Sequence, residues 1–492
     1  MDFRANALRM VAGTVVAQSI PILASPLLSR LYGPEAFGLQ FLFMSLAAAL
    51  AVIATCRLDL AMVLAADDEE ANALAGLIVL LTTSICGLQF IVLAFLSPRL
   101  AAITGSAETT EWIWMLPTIV LTISFFQVSS AFASRRNRFA PIAWANSANQ
   151  GVYAASAIVS GILISFENGL VAAKLGGQAI GAMIIAGSVR SDWRRLDIAE
   201  ATRRGRYLIV KNAQYITYNT PYSLSGSLIR DAPLFLLSFQ ASTTLTGYFA
   251  LARMVTMTPA LLASSSLSLV FFREAALHRG TPYLQRLTTR LLRSGAIATA
   301  PTFACLAIWG DVLFAAVFGE RWTTAGQVAM LLAPAAWWAI QTAWPERLFE
   351  VHARQGKSLT VQLTADVITA MAFFSTLLAT GNPVLAISVF AVCNLIYQHV
   401  YLATVFNISG FQARSMWTLF RDAWFAFTAA LVLLAMLRYL LTDSLLVAAA
   451  AAMASLTATA LLLYRVYLSL EEEKPESNFF PKVDTATPGE PN

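Results

Sequence analysis

Two arginines lie inside long apolar segments of this 492-residue sequence. Arg253 lies nine residues beyond Thr244, where its segment begins, so a helical rise of 1.5 Å per residue puts it about 14 Å deep, near the middle of a bilayer. An arginine at that depth costs about 2.5–3.5 kcal/mol on insertion scales, so a water-filled cavity or a buried carboxylate must receive it. Arg253, and Arg230 in the preceding segment, are therefore the first candidates for a functional site.

These arginines predict a cationic cavity that binds an anionic headgroup, because a guanidinium fork matches the oxygens of phosphate. Arg30, at the outer end of the first apolar segment, is a third candidate. The alternative is that the arginines form ion pairs between helices and fix their packing. Asp231 directly follows Arg230, but adjacent residues on a helix point apart and pair poorly. Both interpretations remain open on the sequence.

Three apolar segments also carry amide and phenol side chains on one helical face. They are Tyr215, Tyr218, Asn219 and Tyr222 in the seventh segment, Asn146, Asn149, Gln150 and Tyr153 in the fifth, and Asn394, Tyr397, Gln398 and Tyr401 in the twelfth. Such faces suit a hydrated cavity that binds sugars, while the alternative is hydrogen bonding between helices together with a tyrosine belt at the interface. Tyr218, Asn219, Tyr222, Asn149 and Tyr153 are predicted to line the cavity, whereas the tyrosine that opens the seventh segment fits the belt.

Two carboxylates are candidates for coupling to an ion gradient. Asp366 is the lone deep carboxylate of the second half of the chain, and Asp59 lies near the inner end of the second segment. The alternative is that each is a structural partner for an arginine. The four cysteines and three histidines are scattered singly, and no GxxxxGK[ST] loop occurs, so no metal site, cofactor or ATP hydrolysis is predicted.

The composition requires a membrane protein. Hydrophobic residues make up 58% of the chain and charged residues 12%, against roughly 25% charged in ordinary soluble domains. Continuous apolar runs of about 20 residues, enough to cross a bilayer as helices, recur from end to end. They predict an all-α polytopic protein with about fourteen transmembrane helices. The predicted spans are 8–29, 38–62, 73–96, 113–133, 141–164, 170–189, 214–238, 244–272, 293–318, 324–347, 359–380, 383–406, 417–441 and 444–467.

The basic residues predict the orientation. With both termini in the cytoplasm, 26 of the 33 lysines and arginines fall on the cytoplasmic side, as the positive-inside rule requires. The five on the opposite side are Arg30, Arg99, Lys174, Arg321 and Arg438. The net charge of +5 therefore reflects topology and contact with membrane lipids, and no nucleic-acid partner is predicted. The outer connections are too short for an extracytoplasmic catalytic domain, so the protein is predicted not to be an enzyme.

The chain repeats its plan after 209 residues. The tripeptide Leu-Leu-Ser occurs at 27–29 and again at 236–238. Gly38 is likewise repeated as Gly247. Two halves of six spans that start from the same side predict parallel repeats about an axis normal to the membrane, with a cavity between them. The predicted divisions are an N-terminal lobe at 1–189, a basic cytoplasmic linker at 190–213, a C-terminal lobe at 214–406, an extra helix pair at 407–468 and a disordered cytoplasmic tail at 469–492.

Prolines occur at matching places in the two halves. Pro21 and Pro26 lie in the first span, and Pro221 and Pro233 lie in the seventh. Because proline removes a backbone donor from a helix, both spans are predicted to be interrupted. Interrupted helices in corresponding positions indicate a binding site or a bending element.

Three stretches resemble the polysaccharide flippases of the Wzx type, within the MOP superfamily that also holds the MATE antiporters and the lipid II flippases. SRLYGPEAFGLQFLFMS (Ser29 to Ser45) resembles a signature of that family, RLDLAMVLAADDEEANAL (Arg57 to Leu74) its second-to-third span connection, and RDAPLFLLSFQASTTLTGYFALARM (Arg230 to Met254) its seventh-to-eighth span hairpin. The resemblance extends to the span plan along almost the whole chain. It implies two six-helix lobes in a MATE-like V, plus two C-terminal helices.

The resemblance also implies a function. Flippases of this type move an undecaprenyl-pyrophosphate-linked oligosaccharide, by alternating access, from the cytoplasmic to the periplasmic leaflet of the bacterial inner membrane, for O-antigen, exopolysaccharide or capsule biosynthesis. Related flippases use cavity arginines for the pyrophosphate, and Arg253 is the best positional match. The partners implied are the lipid-linked oligosaccharide, membrane lipids, a glycan polymerase and a chain-length regulator.

Two other functions compete with this one. A MATE-type antiporter of drug or metabolite cations is expected to favour carboxylates in its cavity, whereas the deep charges of spans seven and eight include two arginines and one aspartate. A membrane-embedded glycan polymerase or ligase needs a sizeable outer loop, which this sequence lacks.

Overall fold

The computed structural model describes residues 3–104, 112–163, 169–240, 242–441 and 444–472. Within these ranges the chain forms helices joined by short turns and contains no strand, so the predicted all-α class is confirmed. Ten of the described helices are long and apolar enough to cross a membrane. The fourteen predicted spans coincide approximately with the observed helices, and the second and seventh spans are broken: α2 ends at Thr55, and the left-handed residues Cys56 and Arg57 separate it from a short helix that begins at Leu58.

The first half of the chain is built from long helices and a short linker segment. The membrane helices and the short α3 are α1 (Phe3–Leu31), α2 (Pro34–Thr55), α3 (Leu58–Val63), α4 (Asp68–Thr104), α5 (Leu116–Arg135), α6 (Phe139–Leu163) and α7 (Gly169–Ser188). The predicted basic linker contains α8 (Arg190–Trp193) and α9 (Ile198–Lys211). Helix α9 packs against α4, where Lys211 forms an ion pair with Glu70 at 2.6 Å. The linker is therefore attached to the first half.

The second half begins with a π-helical turn at Tyr215–Asn219. Its helices are α10 (Thr220–Arg230), α11 (Ala232–Gln240), α12 (Thr243–Leu277), α13 (Pro282–Phe318), α14 (Thr323–Thr342), α15 (Arg347–Val351), α16 (Gln355–Thr380), α17 (Pro383–Ser409), α18 (Ala413–Leu441) and α19 (Leu445–Glu472). Helix α19 extends beyond the predicted start of the disordered tail, and residues 473–492 of that tail lie outside the described residues.

The seventh span is broken twice, at the places where its prolines lie. Pro221 cannot donate to the carbonyl group four residues earlier, and the chain forms the π-helical turn immediately before Thr220. The second break is at Asp231, whose backbone (φ −95°, ψ 2°) leaves the helical region two residues before Pro233. The first span behaves differently: α1 continues through Pro21 and Pro26. There the Ser25 hydroxyl donates to the Ile22 carbonyl at 2.6 Å, which replaces the bond that Pro26 cannot make.

The helices form two bundles that meet along three helices. In the first half α6 packs against α1 and α7, and in the second α14 packs against α12, α13 and α17. The last pair, α18 and α19, packs against α13, so it is attached to the second bundle. Contacts between the halves are made chiefly by α1 and α2 with α12.

The two halves are joined most closely at one end, which we call the outer end after the orientation predicted from lysine and arginine. A Cβ atom added to Gly38 would lie 2.2 Å from the Thr243 carbonyl oxygen, and one added to Gly247 would lie 1.8 Å from the Pro34 carbonyl oxygen. The repeat-related glycines therefore let α2 and α12 cross in backbone contact. Thr244 also donates a hydrogen bond to Glu35 at 2.6 Å.

The observed helix bounds follow the same 209-residue period as the sequence motifs. Helix α1 ends at Leu31 and α11 at Gln240, while α2 begins at Pro34 and α12 at Thr243. The hydrogen-bonded residues Glu35 and Thr244 are also 209 positions apart. The hairpins α1–α2 and α11–α12 are thus equivalent units of the two halves, and they contact each other at their equivalent residues.

An apolar cluster surrounds this junction. Leu28 and Phe37 from the first half are buried with Phe249, Phe318 and Trp322 from the second. The Trp322 ring makes an edge contact with Phe37, at 5.0 Å between centroids, and its indole N–H donates to the Ser29 carbonyl at 2.9 Å. The outer end is closed by this packing.

Candidate functional site

Arg253 lies on α12, ten residues from the outer end of the helix and hence about 15 Å deep. Its Nη1 forms an ion pair with the Asp231 Oδ1 at 3.0 Å, and the Ser45 hydroxyl donates to the other oxygen of that carboxylate at 2.7 Å. The break between α10 and α11 places Asp231, and α2 of the other half supplies Ser45. Asp231 thus binds an arginine of its own half and a serine of the other half.

Arg230 and Asp366 extend this group. Arg230 is the last residue of α10 and is exposed, and Asp366 lies on α16, where its carboxyl group interacts electrostatically with both Arg230 and Arg253. We call Arg230, Asp231, Arg253 and Asp366 the charge cluster. It contains two positive and two negative side chains, so the predicted excess of positive charge is not found among these four residues.

The charge cluster is accessible. The side chains of Arg253 and Asp231 are 22% and 25% exposed, and neither is sealed inside one bundle. An anion that reaches the cluster can therefore contact the guanidinium group without unpacking the helices. Such accessibility is compatible with a binding role, and the position of the pair at the contact between the halves distinguishes it from the equally exposed pair Arg438–Asp311 of α18 and α13.

Arg30 lies elsewhere. It is exposed at the outer end of α1, where its guanidinium group donates to the Ala316 carbonyl of α13 at 3.4 Å. Arg321 donates to the carbonyl groups of Ser29 and Arg30, both at 2.6 Å. The structure does not bring Arg30 to the charge cluster, and places it among the contacts between the halves.

A cavity of about 490 Å³ lies between α1, α2, α6 and α7 of the first half and α12 of the second. Its apolar wall includes Phe41 and Met44 of α2 and Met254 and Leu261 of α12. The larger polar side chains that line it are Gln18, Gln40, Asn146, Gln150, Tyr153 and Lys174. This cavity lies between the halves, but its lining comes mainly from the first half, and of the three polar faces singled out in the sequence it includes that of the fifth span and not those of the seventh and twelfth.

Lys174 is the charged residue in this cavity, and the sequence analysis placed it among the outer connections. It lies inside α7, where its Nζ is 2.9 Å from the Gln150 Oε1 and 4.0 Å from the centroid of the Tyr153 ring. The Tyr153 hydroxyl donates to Gln40 at 3.0 Å. The amide pattern of the fifth span pointed to this site, but the lysine itself carried no distinguishing signal in the sequence.

Asn149 has a different environment from its neighbours on α6. It is buried, and its side-chain amide donates to Gln178 of α7 at 2.6 Å. Gly177 and Gly181 let α7 approach closely there, since Cβ atoms added to them would lie 2.4 Å from the Asn149 carbonyl oxygen and 2.9 Å from the Ala145 carbonyl oxygen. The structure thus places Asn149 in the contact between α6 and α7, beside the cavity wall.

The polar face of the seventh span lies in the second half. Tyr218 is 74% and Tyr222 42% exposed, and Asn219 is half-buried, all at or beside the π-helical turn. The Tyr222 ring lies within electrostatic range of the twelfth-span residues Tyr397 and Tyr401. None of the three predicted residues lines the 490 Å³ cavity.

Asp59 lies beyond the inner end of α2. It is buried in α3, and its Oδ2 is 3.8 Å from the Arg57 guanidinium group, while the Oδ1 has no hydrogen-bond partner among the described residues. Burial raises the pKa of Asp59, and Arg57 opposes this shift. Asp59 and Asp366 therefore have different environments: Asp59 lies at the inner end of the first half, and Asp366 belongs to the charge cluster.

Helices α2 and α12 separate the cavity from the charge cluster. On α2, Met44 lines the cavity and its neighbour Ser45 contacts Asp231. On α12, Met254 lines the cavity and its neighbour Arg253 contacts Asp231. Successive residues on a helix point about 100° apart, so each helix presents a different face to each region. The cavity and the charge cluster are therefore two separate polar regions on different faces of the same two helices.

A comparison with family models gives the match that decides the family. Residues 27–327 match the model of a family described as polysaccharide biosynthesis protein. The chain belongs to this polysaccharide biosynthesis family. The match includes the α1–α2 junction, the cavity helices α6 and α7 and the charge-cluster residues 230, 231 and 253.

Solved structures share the fold of this member of the polysaccharide biosynthesis family. The lipid II flippase MurJ in an inward closed conformation aligns with a TM-score of 0.72 and 12% identity, over 94% of this chain and 99% of that chain. An inward-facing multidrug resistance MATE family transporter of the MOP superfamily aligns with a TM-score of 0.60 and 16% identity, over 80% and 95%. The predicted MOP-type architecture is confirmed.

A third similar structure concerns the charge of the binding pocket. It is a MOP superfamily transporter from Pyrococcus furiosus, described as having a binding pocket of reverse polarity, with a TM-score of 0.54 and 14% identity over 83% of this chain and 96% of that one. No curated protein matches this sequence. The structural alignments establish the fold, and at such low identities they do not identify the cargo.

Proposed function

We propose that this protein is a flippase that moves an undecaprenyl-pyrophosphate-linked oligosaccharide across the bacterial inner membrane for polysaccharide biosynthesis. The observation that carries the proposal is an accessible arginine at mid-membrane depth in a member of the polysaccharide biosynthesis family: Arg253 is 22% exposed and, like Arg230, interacts electrostatically with Asp366. A charge in that position is costly. An anionic cargo that passes the site explains why it is kept.

The geometry suggests how a pyrophosphate is bound and released. Arg253 donates a single hydrogen bond to Asp231 in this conformation, and two oxygens of a phosphate group can accept two parallel hydrogen bonds from the guanidinium fork. The phosphate replaces Asp231 on Arg253, while Ser45 keeps its bond to the displaced carboxylate. Since one charged partner is exchanged for another, binding is reversible, which transport requires.

The remaining polar groups are suited to the sugar part of the cargo. The cavity offers amides and a phenol, which exchange hydrogen bonds with sugar hydroxyl groups, beside apolar side chains that contact sugar ring faces. Tyr218, Asn219 and Tyr222 of the broken seventh span provide further groups of this kind on the other side of α2 and α12. Asn149 supports the cavity wall through α7.

We infer alternating access as the mechanism, with both termini in the cytoplasm and no enzymatic step. The closed outer end and the intramembrane cavity correspond to a state in which cargo is taken up from the inner side. Asp366 is the stronger candidate for ion coupling, because its carboxyl group interacts with both arginines that contact the cargo. Asp59 interacts with Arg57 at the inner end and is the second candidate.

Antiport of organic cations is the alternative function within this fold. It requires a carboxylate that is available to the cargo, yet both carboxylates of the charge cluster interact with arginines and the cavity contains Lys174. These charges favour an anionic cargo over a cationic one. A glycan polymerase or ligase is less well supported, since the described outer connections are short turns.

The test uses a bacterial strain that lacks its own flippase of this type and makes a surface glycan only when this protein is supplied. Arg253→Ala is expected to lower surface glycan about 10- to 100-fold, corresponding to the loss of about 1.5–3 kcal/mol from a charge-assisted hydrogen bond. Arg253→Lys is expected to restore part of it, because lysine keeps the charge and loses the fork. Protein level in the membrane is measured by immunoblot.

A second ion pair serves as the control that distinguishes a role of Arg253 in cargo binding from a role in helix packing. Arg438 of α18 and Asp311 of α13 are also 3.0 Å apart and similarly exposed, at 24% and 20%, but lie away from the contact between the halves. Arg438→Ala is expected to leave glycan export intact. The double variant Asp231→Asn with Arg253→Gln keeps a hydrogen-bonding pair without charge and is expected to remain inactive. Export by that double variant, or by Arg253→Ala, would show that the arginine only fixes packing.

A further inference from the structure

Lys174 is a cation inside a membrane helix. It is the sixth residue of α7, so a rise of 1.5 Å per residue puts its Cα about 8 Å below the outer end of the helix. Its side chain turns into the cavity, where Gln150 accepts one hydrogen bond and the Tyr153 ring lies beneath the ammonium group. An ammonium group has three N–H donors, so the contacts with these neighbours leave donors that face the cavity.

Two intramembrane arginines described above have carboxylate partners at ion-pair distance. Arg253 pairs with Asp231, and Arg438 pairs with Asp311, each at 3.0 Å. No aspartate or glutamate of the described ranges lies within 4.0 Å of the Lys174 ammonium group. Because the charge cluster is balanced, Lys174 supplies the net positive charge of the region between the halves.

The same cavity contains an acceptor that is unsatisfied. The Oε1 atom of Gln18 on α1 is buried and has no hydrogen-bond partner among the described residues, although the side chain lines the cavity. A buried polar atom without a partner destabilises the protein. An unpaired donor and an unpaired acceptor in one cavity indicate a ligand that carries both an anionic group and hydroxyl groups.

We propose that Lys174 binds an anionic group of the transported molecule in this cavity, a second anion site in addition to the charge cluster. The inference rests on the proposed function. The anionic group is a phosphate of the lipid-linked pyrophosphate or a carboxylate on the sugar, and Gln18, Gln40 and Gln150 bind the neighbouring hydroxyl groups. Tyr153 is a positioning residue: its ring holds the ammonium group, and Gln40 holds its hydroxyl.

The experiment measures translocation by the full-length protein in proteoliposomes. Two fluorescent probes are used: a polyprenyl-pyrophosphate-linked neutral disaccharide and its counterpart in which one sugar is a uronic acid. Lys174→Met keeps the aliphatic stem on the Tyr153 ring and removes the charge, and Lys174→Gln is measured alongside. Lys174→Arg keeps the charge. Lys357→Met, at an exposed lysine near the inner end of α16, is the matched control.

A pyrophosphate site predicts that Lys174→Met slows both probes by at least about tenfold, equivalent to about 1.4 kcal/mol. A sugar-carboxylate site predicts the same loss for the uronic acid probe alone. In either case the translocation rate of Lys174→Arg is expected to stay within about threefold of the wild-type rate. The rate of Lys357→Met is expected to equal that of the wild type. Wild-type rates for Lys174→Met on both probes would overturn the inference and leave the proposed function intact. Failure of the wild type to move either probe would instead contradict the proposed function.

Thermal stability distinguishes a binding role from a structural one. A desolvated cation without a carboxylate partner destabilises the empty protein, so Lys174→Met is expected to leave the thermal midpoint of the purified protein unchanged or to raise it. A lysine that holds α6 and α7 together would behave in the opposite way. A clear fall in the thermal midpoint, or loss of folded protein, for both Lys174→Met and Lys174→Gln would therefore overturn the inference.

Discussion

Asp231 determines how strongly Arg253 binds an anion. One oxygen of the carboxylate accepts from Arg253 and the other from Ser45, so the negative charge is held in place from both halves of the molecule. A phosphate that displaces the carboxylate gains one charge-assisted bond and breaks another. Under the proposed function, the affinity of the site for pyrophosphate is the difference between two strong interactions, which favours release as well as capture.

Asp59 gives the protein a defined dependence of stability on pH. Burial raises the pKa of this carboxyl group, so the folded state favours its protonated form. The contribution to stability is fully present below the pKa of the unfolded chain, about 4, and is lost as the pH rises through the folded-state pKa. Relative to Asp59→Asn, which does not titrate, the wild type is expected to lose stability as the pH rises from 4.5 and then to level off.

The measurement is the difference in thermal midpoint between the two purified proteins at several pH values. Taking the difference cancels the titration of the other carboxylates. A difference that stays constant from pH 4.5 to 8, or that grows in favour of the wild type, would contradict a raised pKa at Asp59.

At the scale of the helices, the close contact between α6 and α7 positions the cavity. Gly177 faces α6, and a Cβ atom there would lie 2.4 Å from the Asn149 carbonyl oxygen, whereas nothing lies within 4 Å of one added to Gly176. Gly177→Ala is expected to destabilise the protein by about 1–3 kcal/mol, because the two backbones must separate. Lys174, one turn away on α7, would then move off the Tyr153 ring.

Gly176→Ala is the matched control for this prediction. Alanine favours the helix over glycine by about 1 kcal/mol, so this variant is expected to keep or raise the thermal midpoint. Both variants are compared by thermal unfolding and by export of the surface glycan. Equal shifts of the thermal midpoint would show that the contact between α6 and α7 is not as tight as the glycines indicate.

The helices were predictable from the sequence, whereas the faces they present were not. Hydropathy placed the fourteen spans approximately, because crossing a bilayer requires long apolar runs. Proline predicted the interruption of the seventh span, but the first span continues through its prolines, and the break after Thr55 in the second span contains no proline. Lys174 shows what was missing. A lysine near the end of an apolar span can extend to the membrane surface or turn into a cavity, and only the position of Tyr153 and Gln150 on α6 decides between them.

In the charge cluster, the depth of Arg253 was predictable from the sequence and the partners of its side chain were not. The depth of Arg253 follows from counting along its helix, but its partners come from a helix break and from another half of the chain. Adjacency to Arg230 suggested no role for Asp231, yet the break after α10 turns this carboxylate toward α12. Ser45 is an ordinary residue of an apolar span until the crossing of α2 and α12 brings it to the carboxylate.

At the scale of the whole molecule, the outer end must open if the two halves alternate. The contact between Glu35 and Thr244 lies on that path. A variant that carries cysteine at both positions, with Cys56, Cys86, Cys305 and Cys393 replaced by alanine, is expected to lose export when the pair is joined by a short thiol cross-linker.

Cleavage of a reducible cross-linker is expected to restore export by the double-cysteine variant. Each single-cysteine variant, treated in the same way, is expected to export normally and so controls for modification of the thiol. Undiminished export by the cross-linked protein, with cross-linking verified by mass spectrometry, would show that cargo leaves without separation of α2 from α12 at the outer end.

The glycine contact between α2 and α12 also bears on the origin of the chain. Gly38 and Gly247 occupy equivalent places in the two halves and approach each other in backbone contact. A half-length ancestor that paired with its own copy would already have made this contact, glycine against glycine. Identical copies, however, would have set glutamate against glutamate or threonine against threonine where Glu35 now accepts a hydrogen bond from Thr244. A glutamate–threonine pair at equivalent positions thus requires that the two halves differ in sequence, which they can do within one chain and identical copies cannot.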